Sequence, residues 1–524
     1  MTKRIKVIGQ PGCGKTTELK KQYLKLLSGK YKVSEITIMT FRKSAAKEIR
    51  ESLKNTSLKL NESDNLERYI NTIHSICYHL LGIPKTMESK DYTEFVKDYK
   101  YSLYLKDDER SARISSEDLE AASQSGDPFD LYSWCRNTMT PPEKWFRYPS
   151  TGDVILPKDK VSKFFADFDE YKSHIGKIDY SDMLQQVIDN KIMIDTKVLI
   201  VDEFQDLTPQ MYAIFEMWST KAEVVIIAGD PYQSIYSFFG ATPDFLLNWQ
   251  ADKIIYLEHS YRLPKQIKDF SHKILRMEKM VAKDITTKTV YGNCITKVYH
   301  DDPFPVHATE LHLVRANYQI GAIALRLARE GKVFGTLKLR HGGWTDEEVY
   351  LANAIILVRT DSLLSDFYYK KIVKALPAKL LANKENEPYK LTQEIIDMLK
   401  SSDPTSKMTK TTELFKAKIN GVKNRKKLIE HSEVEKRRVM TIHGSKGLEA
   451  HGVFLHTAIT KKIRKAIVIP SKESQAEARV WYVGCTRAIE HLYLVQDKGK
   501  NYEFPTIPTA TIPEPMSSEI AEWW

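Results

Sequence analysis

The stretch Gly9-Gln10-Pro11-Gly12-Cys13-Gly14-Lys15-Thr16 constrains this chain more than any other feature. It fits G-x-x-x-x-G-K-[ST] and lies between an apolar run, Ile5-Lys6-Val7-Ile8, and a helical pattern from Lys15 to about Leu27. Strand, glycine turn and helix in that order are the context in which the pattern holds a phosphate. Glycines let backbone N–H groups converge, and the helix N-terminus adds partial positive charge. Lys15 is predicted to reach the β- and γ-phosphates of ATP, with Thr16 offering its hydroxyl to Mg²⁺ and Thr17 following at the start of the helix.

A second element suits the first. Val198-Leu199-Ile200-Val201 reads as a fully buried strand and ends in Asp202-Glu203. Paired with a phosphate loop, Asp202 is predicted to hold Mg²⁺ and Glu203 to orient and deprotonate the attacking water. Ile36-Thr37-Ile38-Met39 and Val224-Val225-Ile226-Ile227-Ala228 supply further strands, the latter ending in Gly229-Asp230. Strands that alternate with helices and carry polar residues at their C-terminal ends indicate a parallel sheet with its site along that edge.

At 524 residues the chain is long enough for roughly three or four folding units. The predicted fold class is α/β: residues 1–80 and 161–253 form one parallel-sheet domain, and 254–340 and 436–500 a second. Residues 81–160 read as a helical insertion, 341–435 as a short, Lys-rich helical insertion, and 501–524 as a proline-rich tail ending Glu522-Trp523-Trp524. The net charge of +11 and pI near 9.0 favour a polyanionic partner. Five scattered cysteines form no C-x-x-C pair and read as reduced thiols. The apolar runs are strand-length, far short of about 18 residues needed to cross a bilayer, and no apolar segment follows Met1-Thr2-Lys3-Arg4. These features predict a cytoplasmic protein with no membrane partner.

Asp202-Glu203-Phe204-Gln205-Asp206 resembles the D-E-x-Q-D motif of helicases in the UvrD/Rep branch of superfamily 1, and further matches follow in that family's order. Thr40-Phe41 with Ala45-Ala46, Thr72-Ile73-His74-Ser75 and Ile178-Asp179-Tyr180-Ser181-Asp182 resemble the early motifs. Gly229-Asp230-Pro231-Tyr232-Gln233, Tyr261-Arg262 and Val314-Arg315-Ala316-Asn317 resemble the middle ones. Thr441-Ile442-His443-Gly444-Ser445-Lys446-Gly447-Leu448-Glu449 and Tyr482-Val483-Gly484-Cys485-Thr486-Arg487-Ala488 resemble the last two.

The resemblance implies two RecA-like domains with insertions, the family's 1A/1B/2A/2B arrangement, and an ATP-dependent DNA helicase or translocase that moves 3′→5′ on single strands. It implies that Gln233 senses the γ-phosphate or the water, that Tyr261 stacks on adenine and that Glu449 meets the ribose. Arg262 and Arg487 would both come from the second sheet domain and reach the γ-phosphate, as arginine fingers supplied in cis do. Phe41, Tyr236 and Phe238 would stack on bases, Phe41 and Phe238 foremost, while Arg42, Thr72, His74, Thr441 and His443 would contact the backbone. The implied partners are single-stranded DNA and junctions with duplex, with a single-strand-binding or replication protein engaged by the tail.

Several departures qualify the match. The sequence opens on the phosphate-loop strand, so the glutamine motif that precedes it in the family has no counterpart. Lys43 stands where the family has Asn, and Phe238-Phe239-Gly240-Ala241 stands where it commonly has aromatic-Arg-Gly-Ala. These differences and the short insertion keep two alternatives open: a nucleotide-gated DNA-binding or scaffold ATPase without productive unwinding, and a motor directed to RNA. The compact, Lys- and Ile-rich chain suits a phage, viral or AT-rich prokaryotic genome.

Overall fold

The computed structural model describes residues 2–54, 66–101, 128–147, 158–288, 294–332, 334–336, 345–377, 380, 391–408, 411–421 and 436–507. They form two compact units, the first built mainly from residues up to Cys294 together with Thr460–Thr486, the second from Ile295–Ile459 and Arg487–Tyr502.

The first unit is organised by a six-stranded, all-parallel sheet. Its strands are β1 (Lys3–Gly9), β2 (Ile36–Thr40), β3 (Ile70–Thr72), β4 (Val198–Val201), β5 (Val224–Gly229) and β6 (Lys253–Leu257), in the order β3-β2-β4-β5-β1-β6. Every residue of β2, β4 and β5 is buried. Strands covered on both faces need apolar side chains in both directions, which is why they read as continuous Val and Ile runs instead of alternating ones. Helix Lys15–Leu27 packs Leu19 and Tyr23 onto this sheet, and helix Lys43–Lys54 adds Ala46, Ile49 and Leu53.

The helices Ser89–Asp98 and Pro128–Asn137, from the stretch read as the helical insertion, pack with helix Lys158–Ile175, which runs on past residue 160 into the stretch read as sheet domain. Phe95, Phe129, Phe164 and Phe168 make their core, with Phe129 edge-on to Phe164 at 4.8 Å and 80°. A buried charge fixes them to the sheet domain. Lys172 Nζ reaches Asp182 at 2.6 Å, Asp179 at 2.8 Å and Asp169 at 3.3 Å, and donates to the Tyr132 hydroxyl at 2.8 Å. Burial alone would lower the Lys172 pKa, but Asp179, Asp182 and Asp169 hold it above the ordinary value. Asp179 and Asp182 also form the capping box of helix Tyr180–Asp189, so one ammonium orients the helix that presents Tyr180.

The first unit extends beyond residue 253, where the sequence places its end. β6 pairs with β1 in parallel, and β7 (His259–Pro264) with β8 (Thr286–Lys288) forms a ribbon in the same unit. Helix Lys265–Met277 packs on helix Lys472–Cys485, which draws residues 460–486 into this unit as well. The start of the tail docks here: Phe504 stacks on Phe270 at 5.7 Å and meets Trp481 edge-on at 5.4 Å. Trp523-Trp524 lie outside the described residues.

The second unit carries another six-stranded parallel sheet. Its strands are β9 (Ile295–Tyr299), β10 (Glu310–Val314), β11 (Gly335–Thr336), β12 (Arg437–Thr441), β13 (Ala450–His456) and β14 (Ala488–Gln496), in the order β11-β12-β10-β13-β14-β9. Helices Asp346–Arg359, Asp366–Ala375, Gln393–Lys400 and Glu413–Gly421 assemble around Ile355, Ile372, Leu399 and Phe415, within the stretch read as the short insertion. Two parallel α/β sheets with helical insertions are the fold class that the sequence predicts. No described helix is long and apolar enough to cross a membrane.

Removing Lys172 would leave carboxylates buried without their cation. Lys172→Ala is expected to destabilise the first unit by about 3–5 kcal/mol, measured as a fall in its unfolding midpoint in urea; an unchanged midpoint would show that the cluster is dispensable.

Candidate functional site

The phosphate loop leaves β1 at Gly9 and turns through Gly12 and Gly14, both left-handed at φ +73° and +79°. Side chains rarely adopt that region, so glycine is what the turn requires. The Lys15 ammonium donates to the Gly9 carbonyl at 2.9 Å, folded back over the loop. Gln10 is buried and held on both sides: its amide donates to the Lys283 carbonyl, and its Oε1 lies 2.6 Å from His272 Nε2. Burial pushes the His272 imidazole down to about 4, so it is neutral. Cys13 is buried, and desolvation lifts its thiol to about 11, which makes it a poor nucleophile at neutral pH.

β7 clasps this loop within the same unit. The Ser260 hydroxyl donates to the Pro11 carbonyl at 2.7 Å, and Tyr261 N–H to the Gly12 carbonyl at 3.0 Å. A Cβ on Gly12 would come within 2.3 Å of Arg262 Cβ. Arg262 therefore sits against the loop in the first unit, whereas the family resemblance places it in the second. The reason is backbone pairing: β7 follows β6, which completes the first sheet beside β1. Tyr261 is 74% exposed, its ring free of the core as a stacking platform would need.

The carboxylates stand at the ends of β4 and β5. Asp202 is buried, and its Oδ2 lies 3.4 Å from the Thr16 hydroxyl. Burial, reinforced by neighbouring Glu203, lifts Asp202 to about 6. A carboxylate and a hydroxyl at the mouth of a phosphate loop are oxygen donors of the kind Mg²⁺ takes, so Asp202 and Thr16 fit the ion that the fold family implies. Glu203 is in the left-handed region at φ 52°, a strained conformation for this residue that turns it out of the strand path.

Sequence reasoning gave no role to the residue that joins these strand ends. The Gln205 amide donates to the Glu203 carboxylate, and its Oε1 accepts from the Asp230 backbone N–H at 3.0 Å. Gly229 makes room, since a Cβ there would lie 2.5 Å from Gln205 Oε1. Gln233, buried, donates to the Asp230 carboxylate at 2.9 Å, and burial raises the Asp230 pKa. The signal was present in the D-E-x-Q-D pattern and the glycine before Asp230, but no local rule links them.

The predicted track residues gather at the neighbouring strand ends. Phe41 is 5% exposed and stacks on buried Tyr236 at 5.2 Å and 21°, while half-buried Phe238 meets Tyr236 edge-on at 6.1 Å. Phe41, Thr72, His74, Asn137 and Tyr180 line a cavity of about 420 Å³, which Phe239 also borders. Thr72 caps helix Ile73–Leu80 by accepting from Ser75 N–H at 3.3 Å, and half-buried Arg42 follows Phe41. Desolvation pushes the His74 imidazole down to about 4, so it enters the cavity as a neutral donor or acceptor. In the second unit Thr441, His443 and Arg487 are buried and Glu449 is exposed; the Arg487 guanidinium donates to the Leu448 carbonyl at 3.2 Å.

Two family profiles match the chain. One, described as the UvrD/REP helicase N-terminal domain, covers residues 1–253, and the other, the UvrD-like helicase C-terminal domain, covers residues 358–499. A "Probable DNA helicase II homolog" of Mycoplasma capricolum is 25% identical over 312 residues, spanning 55% of this chain and 41% of that protein. An "ATP-dependent DNA helicase Rep" of Buchnera aphidicola is 25% identical over 315 residues, 55% of this chain and 44% of the relative. A "Putative ATP-dependent DNA helicase YjcD" of Bacillus subtilis is 22% identical over 381 residues, 69% of this chain and 47% of the relative. The chain thus matches less than half the length of these curated relatives.

If Asp202 holds Mg²⁺, its raised pKa sets a pH limit on that binding. Below about 6 the carboxyl is protonated and Mg²⁺ must displace the proton, whereas above that value the carboxylate is ready. Apparent Mg²⁺ affinity in the presence of ATP is expected to fall about tenfold per pH unit below that value and to level off above it. A Mg²⁺ titration at several pH values checks this; the same affinity on both sides of the Asp202 pKa would contradict it.

Proposed function

Because the chain belongs to the UvrD/Rep family of helicases, we propose that it is an ATP-driven motor on single-stranded DNA. It moves 3′→5′ and couples Mg-ATP hydrolysis to strand separation. Lys15 and the loop amides bind the phosphates, and Asp202 with Thr16 would hold Mg²⁺, which when bound supplies charge neutralisation at the phosphates. Glu203, oriented by Gln205, takes the proton of the attacking water, while Gln233 reports whether the γ-phosphate is present. Arg262 lies beside Gly12, from where its guanidinium would approach the transferring phosphoryl group. Tyr261 offers adenine a stacking face. Thr441, His443, Glu449 and Arg487 keep the roles that their motifs imply.

One observation carries this reading. Gln233 is bonded to Asp230 at the nucleotide side, and three residues further on Tyr236 stacks on Phe41, which lines the cavity beside Thr72 and His74. A shift of Gln233 with the state of the γ-phosphate would therefore move the ring against which Phe41 rests. In the sheet order, β4 and β5 carry the carboxylates, and β2 and β3 carry the track residues next to them. Chemistry and grip share one sheet edge, and the net charge of +11 suits a phosphate backbone as the track. Single strands and their junctions with duplex are the proposed partners, with a single-strand-binding or replication protein engaged through residues 501–524.

Single-stranded DNA is expected to stimulate ATP hydrolysis more than RNA or blunt duplex does. Lys15→Ala should lower kcat by at least about 10²-fold, whereas Glu203→Gln should retain ATP binding and lose turnover. Steady-state hydrolysis with each polymer, together with a fluorescent-nucleotide binding assay, checks this. Stronger stimulation by RNA would reassign the track, and substantial turnover by Glu203→Gln would remove the proposed base.

A further inference from the structure

Three neighbouring parallel strands of the second sheet, β13, β14 and β9, each end in a side chain able to bind a metal. His456 closes β13, Asp497 follows β14 and His300 follows β9. His456 pairs with Val495 and Tyr299 with Gln496, so Asp497 and His300 come level with each other two residues beyond the level of His456. Side chains alternate along a strand, and that register puts all three on one face of the sheet at its carboxyl edge. Sites in open parallel sheets form along that edge.

The donor atoms converge. His456 Nδ1 lies 3.0 Å and His300 Nδ1 3.1 Å from the same oxygen, Asp497 Oδ1, and the three ligand atoms all lie within 4.8 Å of one another. Zinc bonds of about 2.0–2.2 Å place tetrahedral ligands roughly 3.3–3.5 Å apart, so both nitrogen–oxygen spacings are close to what an ion needs, and the two imidazoles would turn to close their nitrogens around it. Asp497 is held from behind: its backbone N–H donates to Asn501 Oδ1 at 3.1 Å, and its Oδ2 faces Ala458 N–H at 3.4 Å. The His300 side chain is 28% exposed, which leaves a fourth position open to water.

His456 is 1% exposed, and its Nε2 has no hydrogen-bond partner. The rings around it are aromatic, Phe304 at 6.1 Å and 73° and His312 at 6.1 Å. At 3.0 Å the His456 Nδ1 and Asp497 Oδ1 are bridged either by a proton on Nδ1 or by a cation, and with a cation there the imidazole keeps its proton on Nε2.

We propose that His300, His456 and Asp497 form a divalent transition-metal site of the zinc class, with water as the fourth ligand. Two imidazoles and one carboxylate select such ions over Mg²⁺ or Ca²⁺, which prefer all-oxygen sets. The site lies within the second unit and uses none of the residues assigned to Mg-ATP. Bound metal would fix the start of the segment 300–309, which carries Phe304 onto Phe454 at 4.8 Å and His307 onto Gly452.

The test uses the full chain, stripped with a chelator and titrated with Co²⁺ as a spectroscopic probe and with Zn²⁺. The expected result is one Co²⁺ per chain with visible bands of four-coordinate intensity, displaced by Zn²⁺, and a higher unfolding temperature on Zn²⁺ addition. His300→Ala and Asp497→Asn should each weaken Co²⁺ binding by more than about 100-fold, beyond the loss typical of an outer-shell change, while Lys15→Ala binds normally. His300 is half-exposed, so His300→Ala keeps the test decisive if Asp497→Asn fails to fold. No four-coordinate spectrum, or binding unaltered by these substitutions, would overturn the site.

Discussion

A buried carboxylate facing the N-terminus of a helix is the constraint around which the first unit is arranged. Asp202 is removed from water and sits 3.4 Å from the Thr16 hydroxyl, and burial lifts its pKa to about 6. Such a group is costly in a core unless something offsets its charge. Lys15 and the helix that begins beside it supply part of that compensation, and a metal ion would supply the rest. To present these groups, β4 must end where β1 ends, and the all-parallel order β2-β4-β5-β1 achieves that alignment.

Gln205 makes the edge a single mechanical object. It holds Glu203 with its amide and the Asp230 backbone with its carbonyl, so the ends of β4 and β5 cannot shift independently. Asp230 then holds Gln233, and the chain continues to Tyr236 and its stack on Phe41. Each link is a short, directional contact between buried groups, and such networks have few alternative arrangements. On the proposed mechanism, a change at the phosphate would be passed on as a displacement of a ring. The Lys172 cluster plays the complementary part, since it fixes Tyr180 and the insertion on the far wall of the same cavity.

Much of the first sheet could be read from the sequence because strands buried on both faces announce themselves as unbroken Val and Ile runs, and because glycine or aspartate ends them. The expected strands at Ile5–Ile8, Ile36–Met39, Val198–Val201 and Val224–Ala228 fall within β1, β2, β4 and β5. Phosphate-loop chemistry is local, so its residues were legible too. What depends on distant pairing was not. The Gln205 bridge spans 25 residues, and the clasp of Ser260 on Pro11 spans 249. β6 alternates weakly and lies at a sheet edge, which hid its pairing with β1. His300 and Asp497 are 197 residues apart, and only the strand order β13-β14-β9 brings them together.

The central claim is that hydrolysis at the phosphate loop is converted into movement along a strand. It is tested most directly by displacement of streptavidin from oligonucleotides biotinylated at one end, with ATP as the only energy source. ATP-dependent displacement from the 5′ end, lost in Glu203→Gln, is the predicted result for a motor that travels 3′→5′. DNA-stimulated hydrolysis without displacement from either end would contradict the claim and leave a nucleotide-gated binding protein in its place.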